Sequence, residues 1–247
     1  MVERHDHESV ATFVSADPLV GGTVSLGEDA AHHARVRRLE IHARVALVDG
    51  AGGRATGRIV RIAKRDLLVE AGEVIHEPGA PPVHLIVPIA DKDRMLWLAE
   101  KSVELAATSW RPVLWRRSRS VTPRGEGMTF HGKVRSRMAS ALAQSGGAWM
   151  PVLYPDATVT TVIAATPEGT RLLLDAGGAP LLREKIVAPV TIAVGPEGGM
   201  EEDEHEQLVA AGFRAVSLGD TVLRFETAGI AALAVVRSAL ASQASDE

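Results

Sequence analysis

The stretch VGPEGGMEEDE, residues 194–204, places one carboxylate inside a glycine-rich turn and four more directly after it. An apolar segment precedes the turn and a helix-forming segment follows it, which is the layout of a nucleotide-binding strand–turn–helix unit. A helix N-terminus attracts anions because of its free N–H groups and its dipole. Here carboxylates already occupy that position, so a phosphate would be repelled. We therefore expect a neutral or cationic ligand, bound by backbone N–H and C=O groups.

Three loops that each follow a late predicted strand are the best candidates for holding this ligand. They are LLLDAGG at 172–178, the turn at 194–200 and LGDTVLRFETA at 218–228. The carboxyl ends of parallel strands lie at one edge of a sheet, so three such loops can enclose one small ligand. The candidate cofactor-binding residues are Leu174, Asp175, Gly195, Pro196, Glu197, Gly198, Gly199, Leu218, Gly219, Val222, Leu223, Arg224 and Thr227.

S-adenosylmethionine has the character that this site requires. It carries an adenine, a ribose, an amino acid group and a sulfonium, and it has no phosphate. The charge argument alone does not separate it from other phosphate-free ligands.

Two regions with different sequence patterns must position these loops. The segment HEPGAPP, at 76–82, interrupts regular structure and predicts a linker. We expect a small β-barrel over residues 1–76, a linker over 77–82 and an α/β domain over 83–247.

In the first region, RVALVDG and RATGRIVRI flank DGAGG, at 49–53, as a β-hairpin. LLVEAGEVI, at 67–75, predicts another strand, and EDAAHHARVRRL, at 28–39, predicts a short helix.

In the second region, strands and helices alternate, which predicts a mainly parallel sheet with helices on both faces. The predicted strands are 83–90, 112–115, 171–175, 190–195 and 214–219, and the predicted helices are 93–108, 132–146, 201–212 and 226–240. Residues 241–247 are expected to fray.

Composition limits the chemistry that the chain can perform. The 247 residues include no cysteine, which excludes disulfides, thiolate metal sites and thiol nucleophiles. The N-terminus is polar and the apolar runs are short, so we expect no signal peptide, no membrane span and a cytoplasmic location. Neither His5, Asp6 and His7 nor His32 and His33 form a closed metal site, so no metal is expected.

Basic residues concentrate in two segments although the formal net charge is −4. Residues 31–65 hold nine Arg or Lys against two acidic residues, and residues 110–137 hold eight against Glu126 alone. Two separate arginine-rich segments in an acidic protein favour a polyanionic partner such as RNA.

The pairing of VGPEGGMEEDE with LGDTVLRFETA resembles the RsmE family, which are 16S ribosomal RNA uridine-N3 methyltransferases of the SPOUT superfamily. The resemblance extends over nearly the whole chain. HHARVRRLE followed by RVALVDGAGG is similar to the family's N-terminal PUA-like barrel. DKDRMLWLAEKSVEL and AQSGGAWMPVL are similar to helical segments of its catalytic domain. The family often has an acid and an arginine where this chain has Ala143 and Gly147.

This resemblance implies a C-terminal SPOUT domain with a deep trefoil knot that holds S-adenosylmethionine, a homodimer, and small-subunit ribosomal RNA as substrate. Arg224 is the candidate for stabilising charge on the uridine ring, with a structural salt bridge as its alternative role. Glu197 is the candidate proton acceptor, with helix capping as its alternative. Candidate RNA contacts are Arg35, Arg37, Arg38, Lys92, Arg94, Arg135 and Arg137.

Two other functions fit the same residues. One is a non-catalytic RNA-binding or ribosome-assembly protein that has kept the fold. The other is a SPOUT enzyme that methylates a ribose 2′-OH. Intact GPEGG and VLRFETA segments favour an enzyme, because a binding module has no need of a ligand pocket.

Overall fold

The computed structural model describes residues 10–120 and 124–244. The chain forms two compact units, one of residues 1–79 with 142–149 and the other of residues 80–141 with 150–247. The histidine and aspartate cluster at 5–7 lies outside the described residues.

The described part of the first unit is a curled five-stranded sheet with one helix. Its elements are β1 (Thr12–Val14), β2 (Gly22–Leu26), α1 (Glu28–Val36), β3 (Arg44–Val48), β4 (Gly53–Ile62) and β5 (Leu67–His76). The strand order is β1-β3-β4-β5-β2, with β1 parallel to β3 and the other pairs antiparallel. The small β-rich domain expected from the sequence is therefore present. The sequence pattern had not identified the short strands β1 and β2.

One apolar core holds this unit together. Phe13, Leu47, Ile59 and Leu67 are buried in one cluster with Ala31 of α1. In the predicted hairpin, Arg44–Val48 pairs with residues 54–58 of β4, which confirms the strand–turn–strand pattern.

Helix α1 is shorter than predicted. It ends at Val36, and Arg38 adopts a positive φ of 54° just beyond it. The N–H of Leu39 then donates to the carbonyl of Ala34 at 2.9 Å and closes the helix end. This is a left-handed termination of the kind that ends many helices. Arg37 and Arg38 therefore follow the helix, and Arg35 lies on its last turn.

The second unit is a six-stranded parallel sheet with helices. Its elements are β6 (Val83–Pro88), α2 (Lys92–Glu104), β7 (Ser109–Val113), α3 (Gly127–Ser145), β8 (Val152–Leu153), α4 (Val159–Ala164), β9 (Thr170–Pro180), β10 (Val190–Val194), α5 (Glu202–Ala210), β11 (Arg214–Ser217) and α6 (Phe225–Ala244). The strand order is β11-β9-β10-β6-β7-β8, and every pair is parallel. This confirms the sheet predicted from the alternation of strands and helices.

The central strands carry the core. All five residues of β10 are buried, as are five of the six residues of β6. Strands covered on both faces read as continuous apolar runs, which is why the sequence pattern identified them.

Several boundaries differ from the predicted ones. The strand predicted at 112–115 is β7, which runs over Ser109–Val113 instead. Leu114 and the fully buried Trp115 follow it outside the sheet. Helix α3 begins at Gly127, and the short elements β8 and α4 were not predicted. The segment 241–244 continues α6 instead of fraying.

Strand β9 contains the feature that most affects the site. Its partner β11 pairs Ala215 with Leu173 and then Val216 with Ala179, so residues 174–178 form a bulge in the ladder with β11. A side chain at Gly178 would collide with the backbone of Ala215 and Val216. We call residues 174–178 the β9 bulge.

Among the described residues, α6 is the one helix long and apolar enough to cross a membrane, over Phe225–Gln243 with a mean hydropathy of 1.3. The expectation from the sequence concerned uninterrupted apolar runs, and Arg237 interrupts the run in α6. Its residues Ala232, Leu233, Val236 and Leu240 are buried, and the helix packs against α2, β10 and β6. This packing is that of a core helix.

Candidate functional site

The second unit contains a cavity of about 510 Å³ at the edge of the parallel sheet. The β9 bulge, the glycine turn (194–200) and the β11–α6 loop (218–224) form it, because β9, β10 and β11 are close neighbours in the sheet. Cavities for small ligands typically measure about 300–1,000 Å³. The lining residues are Arg117, Leu174, Asp175, Ala176, Val194, Gly195, Pro196, Glu197, Gly199, Met200, Glu202, His205, Val216, Ser217, Leu218, Gly219, Thr221, Val222, Leu223, Phe225 and Ala228.

The structure brings together most of the candidate cofactor-binding residues. All of them line this cavity except Gly198, Arg224 and Thr227. Gly198 lies within the glycine turn, and Arg224 and Thr227 are exposed residues beside the lining residues Leu223 and Ala228.

Sequence reasoning missed Arg117 and His205, which also line the cavity. His205 lies on α5, and Arg117 lies in a short 3₁₀ segment after β7. A usable signal for Arg117 existed, because a run of carboxylates at 201–204 favours basic partners and residues 116–119 are rich in arginine.

The glycine turn is fixed by the strand before it and by a hydrogen bond within it. It begins directly after the buried strand β10, and the N–H of Gly199 donates to the carbonyl of Pro196 at 2.9 Å. Gly199 has a φ of +74°, a conformation that favours glycine. The backbone polar groups of this turn are thus held in place beside the cavity.

Arginines bind the carboxylates that follow the turn. Arg117 donates to the carbonyl of Gly198 at 2.8 Å and to both carboxylate oxygens of Glu201, at 3.1 and 3.3 Å. This contact holds the pKa of the Glu201 carboxyl below its ordinary value. Arg116 forms an ion pair with Asp203.

The buried Glu204 completes this arrangement. One of its oxygens accepts from the N–H of Arg116 and the other from the N–H of Glu201, both at 3.0 Å. Glu201, Asp203 and Glu204 are therefore all engaged by contacts within the protein.

A third arginine reaches the turn from α2. The guanidinium of Arg94 forms an ion pair with Glu197, and its Nε lies 3.9 Å from the carboxylate of Glu226 in the first turn of α6. Glu226 is 5% exposed. The one carboxylate inside the glycine turn is thus tied to a neighbouring helix.

Across the cavity, Asp175 fixes the bulge. One oxygen of its carboxylate accepts from the N–H of Gly177 at 2.7 Å, and the other lies 3.5 Å from Nε2 of His205. The bulge and α5 are linked by this pair.

Comparison with known proteins places the chain in a family. The profile of an RNA methyltransferase domain matches residues 77–237, and that of an RNA methyltransferase PUA domain matches residues 26–71. Ribosomal RNA small subunit methyltransferase E from Mycobacterium bovis is 31% identical over 228 residues, covering 85% of this chain and 84% of the relative. The chain belongs to this methyltransferase E family.

Two further relatives agree. The protein of the same name from Synechocystis sp. is 29% identical over 240 residues, covering 93% of this chain and 77% of the relative. The crystal structure of the Neisseria gonorrhoeae protein, bound to S-adenosyl methionine, matches with a TM-score of 0.83 at 29% identity. It covers 93% of this chain and 97% of that one.

In this member of the family, several basic residues proposed for RNA contact have partners within the protein. Arg35 donates to the carbonyls of Ala63 at 2.5 Å and Lys64 at 3.1 Å. Arg137 donates to Glu100 at 3.2 Å, and Arg94 is held as described above. These three arginines hold local structure.

The other four candidates differ from those three. In the described residues, no hydrogen bond or ion pair of the side chains of Arg37, Arg38, Lys92 and Arg135 is found, and all but the partly buried Lys92 are exposed. They are free to meet a partner.

Arg224 stands at the rim of the cavity. It is exposed, its carbonyl accepts from the N–H of Ala228 at 2.8 Å, and its guanidinium has no protein partner in the described part of the chain. The salt bridge considered as its alternative role is therefore absent there.

No group of three or more His, Asp or Glu residues suited to a metal ion occurs within residues 10–120 and 124–244.

Proposed function

We propose that this protein methylates N3 of a uridine in small-subunit ribosomal RNA, with S-adenosylmethionine as methyl donor. Membership of the methyltransferase E family supports the reaction class. The observation that carries the proposal is the cavity between the β9 bulge, the glycine turn and the β11–α6 loop.

The cavity fits S-adenosylmethionine by size and by chemistry. Its volume of about 510 Å³ is that of a small-ligand site, and Val194, Met200 and Phe225 supply apolar walls. The two arginines beside the acidic start of α5 are already engaged, Arg117 by Glu201 and Arg116 by Asp203, so neither draws a phosphate to the glycine turn. The Neisseria gonorrhoeae relative was solved with S-adenosyl methionine bound.

S-adenosylmethionine, when bound, supplies a methyl group activated by a sulfonium. The protein contributes position, and aligning the reacting atoms accounts for much of the rate of a displacement. Methylation removes the N3 proton, which passes to water or to a nearby base. As it leaves, negative charge spreads over the ring carbonyls of the uridine, and the free guanidinium of Arg224 stabilises it.

Glu197 acts through position in this proposal. Its carboxylate is ion-paired with Arg94, so its first role is to hold the glycine turn. Because N3 lies on the Watson–Crick edge, the target uridine must be unpaired or flipped out.

We further propose that residues 1–76 bind RNA, that 77–82 are a linker and that 83–247 form a knotted methyltransferase domain. The family matches at 26–71 and 77–237 support this division. Arg37, Arg38, Lys92 and Arg135 are the proposed phosphate contacts. The proposal includes a homodimer, as the resemblance implies, and a cytoplasmic location, as the sequence predicts. Light scattering of the purified protein tests the dimer.

The decisive experiment combines gene deletion with mass-spectrometric mapping of small-subunit ribosomal RNA. We expect one methyluridine to disappear and to return when the gene is restored. A methyl group found on the ribose after fragmentation would instead support a 2′-O-methyltransferase. An unchanged RNA, together with no calorimetric binding of S-adenosylmethionine, would support a non-catalytic RNA-binding protein.

A further inference from the structure

Arg94 contacts two carboxylates that belong to different walls of the cavity. Its guanidinium pairs with Glu197 in the glycine turn and lies 3.9 Å from Glu226 through Nε. Glu197 lines the cavity, and Glu226 follows the lining residue Phe225 directly. One side chain from α2 therefore spans the turn after β10 and the start of α6.

The backbone of Arg94 is itself held firmly. Asp91 caps α2, and its carboxylate accepts from the N–H groups of Asp93 and Arg94 at 3.1 Å. The guanidinium thus extends from the first turn of a capped helix, whose later residues Met95 and Leu98 are buried.

The carboxylate that Arg94 meets at the start of α6, Glu226, is buried. Its side chain is 7% exposed, and Oε2 has no hydrogen-bond partner among the described residues. Burying a carboxylate is costly unless it is paired, and a buried pair gives little net stability over apolar packing. Glu226 lies in the first turn of α6, whose N-terminus is positive, and Arg94 is its ion-pair partner. A costly buried carboxylate at this position needs a reason other than stability.

We propose that Arg94 is a positioning residue that sets the spacing between the glycine turn and the start of α6, and through it the affinity for S-adenosylmethionine. This inference rests on the proposed function, because it concerns the same cavity. Glu197 is the acceptor on one wall and Glu226 the acceptor on the other. Neither carboxylate needs to touch the reacting atoms.

The test separates positioning from stability with a pair of variants. Arg94→Met leaves Glu226 buried without its side-chain counter-ion, so we expect a lower thermal midpoint and weaker ligand binding. The double variant Arg94→Met with Glu226→Gln removes that buried charge, so the thermal midpoint should recover. Binding of S-adenosylmethionine should stay weakened by about tenfold, the size of coupling expected within one ion-pair network.

Two further variants complete the design. Arg94→Lys keeps a charge without the two-sided guanidinium and should restore binding in part. Arg214→Met, which breaks the 2.7 Å pair with Glu184 elsewhere in this unit, is the control and should leave binding unchanged.

Calorimetric affinity and thermal midpoint are measured on each preparation. If the parent binds S-adenosylmethionine and the double variant binds it equally well, the positioning role is overturned while the proposed function stands. If the parent itself fails to bind, the proposed function falls, and this inference falls with it.

Discussion

Replacing Arg224 by alanine tests the step of the mechanism that depends on charge. The guanidinium is exposed and has no protein partner in the described part of the chain. Exposed substitutions of this kind change stability by roughly 0.5 kcal/mol or less. We therefore expect the thermal midpoint and the affinity for S-adenosylmethionine to stay close to those of the parent.

The expected effect lies in the chemical step. Two unit charges about 4 Å apart, at an effective dielectric constant of about 20, interact by about 4 kcal/mol. Removing one electrostatic donor typically costs about 100- to 1,000-fold in the catalytic constant, or roughly 2.7–4 kcal/mol. Lysine should restore only part of the rate, because it lacks the planar guanidinium.

A single-turnover assay with S-adenosylmethionine and unmodified small-subunit RNA measures this rate directly. Lys185→Ala, which removes another exposed cation of the same unit, is the control and should react normally. A near-normal rate for Arg224→Ala would refute the catalytic role. Parallel losses of rate, ligand affinity and thermal midpoint would instead assign Arg224 to the scaffold.

Four further predictions concern the turn, the RNA contacts, protonation and metals. Gly199→Val forces a side chain into a φ of +74° beside Arg117 and should weaken S-adenosylmethionine binding in calorimetry. Gly212→Val, at a φ of +84° with nothing within 4 Å, should lower stability and leave that binding intact. Replacing Arg37 and Arg38 by alanine should reduce the slope of log RNA affinity against log salt concentration by about two and leave cofactor affinity unchanged. An unchanged slope would exclude these two arginines as phosphate contacts. Burial, with Arg111 and Arg237 nearby, lowers the pKa of His84 below its ordinary 6.5. As the pH drops below about 6.5, the unfolded chain therefore binds the proton before the folded chain does, and the free energy of unfolding falls. His84→Gln should flatten that fall in urea titrations at about pH 7 and about pH 5, and an unchanged pH dependence would count against this account. EDTA should leave cofactor binding unaltered, and a loss that divalent ions restore would contradict a metal-free site.

The local sequence pattern was sufficient to predict the central strands of the sheet and the loops that line the cavity. The apolar runs of β6 and β10 are buried on both faces, so composition alone marks them as central strands. The glycine turn follows β10 and the loop at 218–224 follows β11, the two strands that flank β9, so the parallel sheet brings both loops to one edge. That is why most of the predicted cofactor residues line one cavity.

The end of helix α1 and the position of the β9 bulge depended on backbone geometry that the local sequence pattern does not predict. The end of α1 is set by a single residue, Arg38, in a left-handed conformation that non-glycine residues rarely adopt. The bulge at 174–178 arises because β11 pairs with both flanks of the interruption, a contact between segments about forty residues apart.

The partners of the charged residues were decided by tertiary structure alone. The sequence marks residues 110–137 as a basic cluster facing a polyanion, yet Arg116 and Arg117 bind the carboxylates that begin α5. Arg94, counted from sequence as an RNA contact, joins Glu197 to Glu226. A charge count gives the number of ionic groups in a segment, whereas the fold determines which of those groups form ion pairs within the protein and which remain available to a partner.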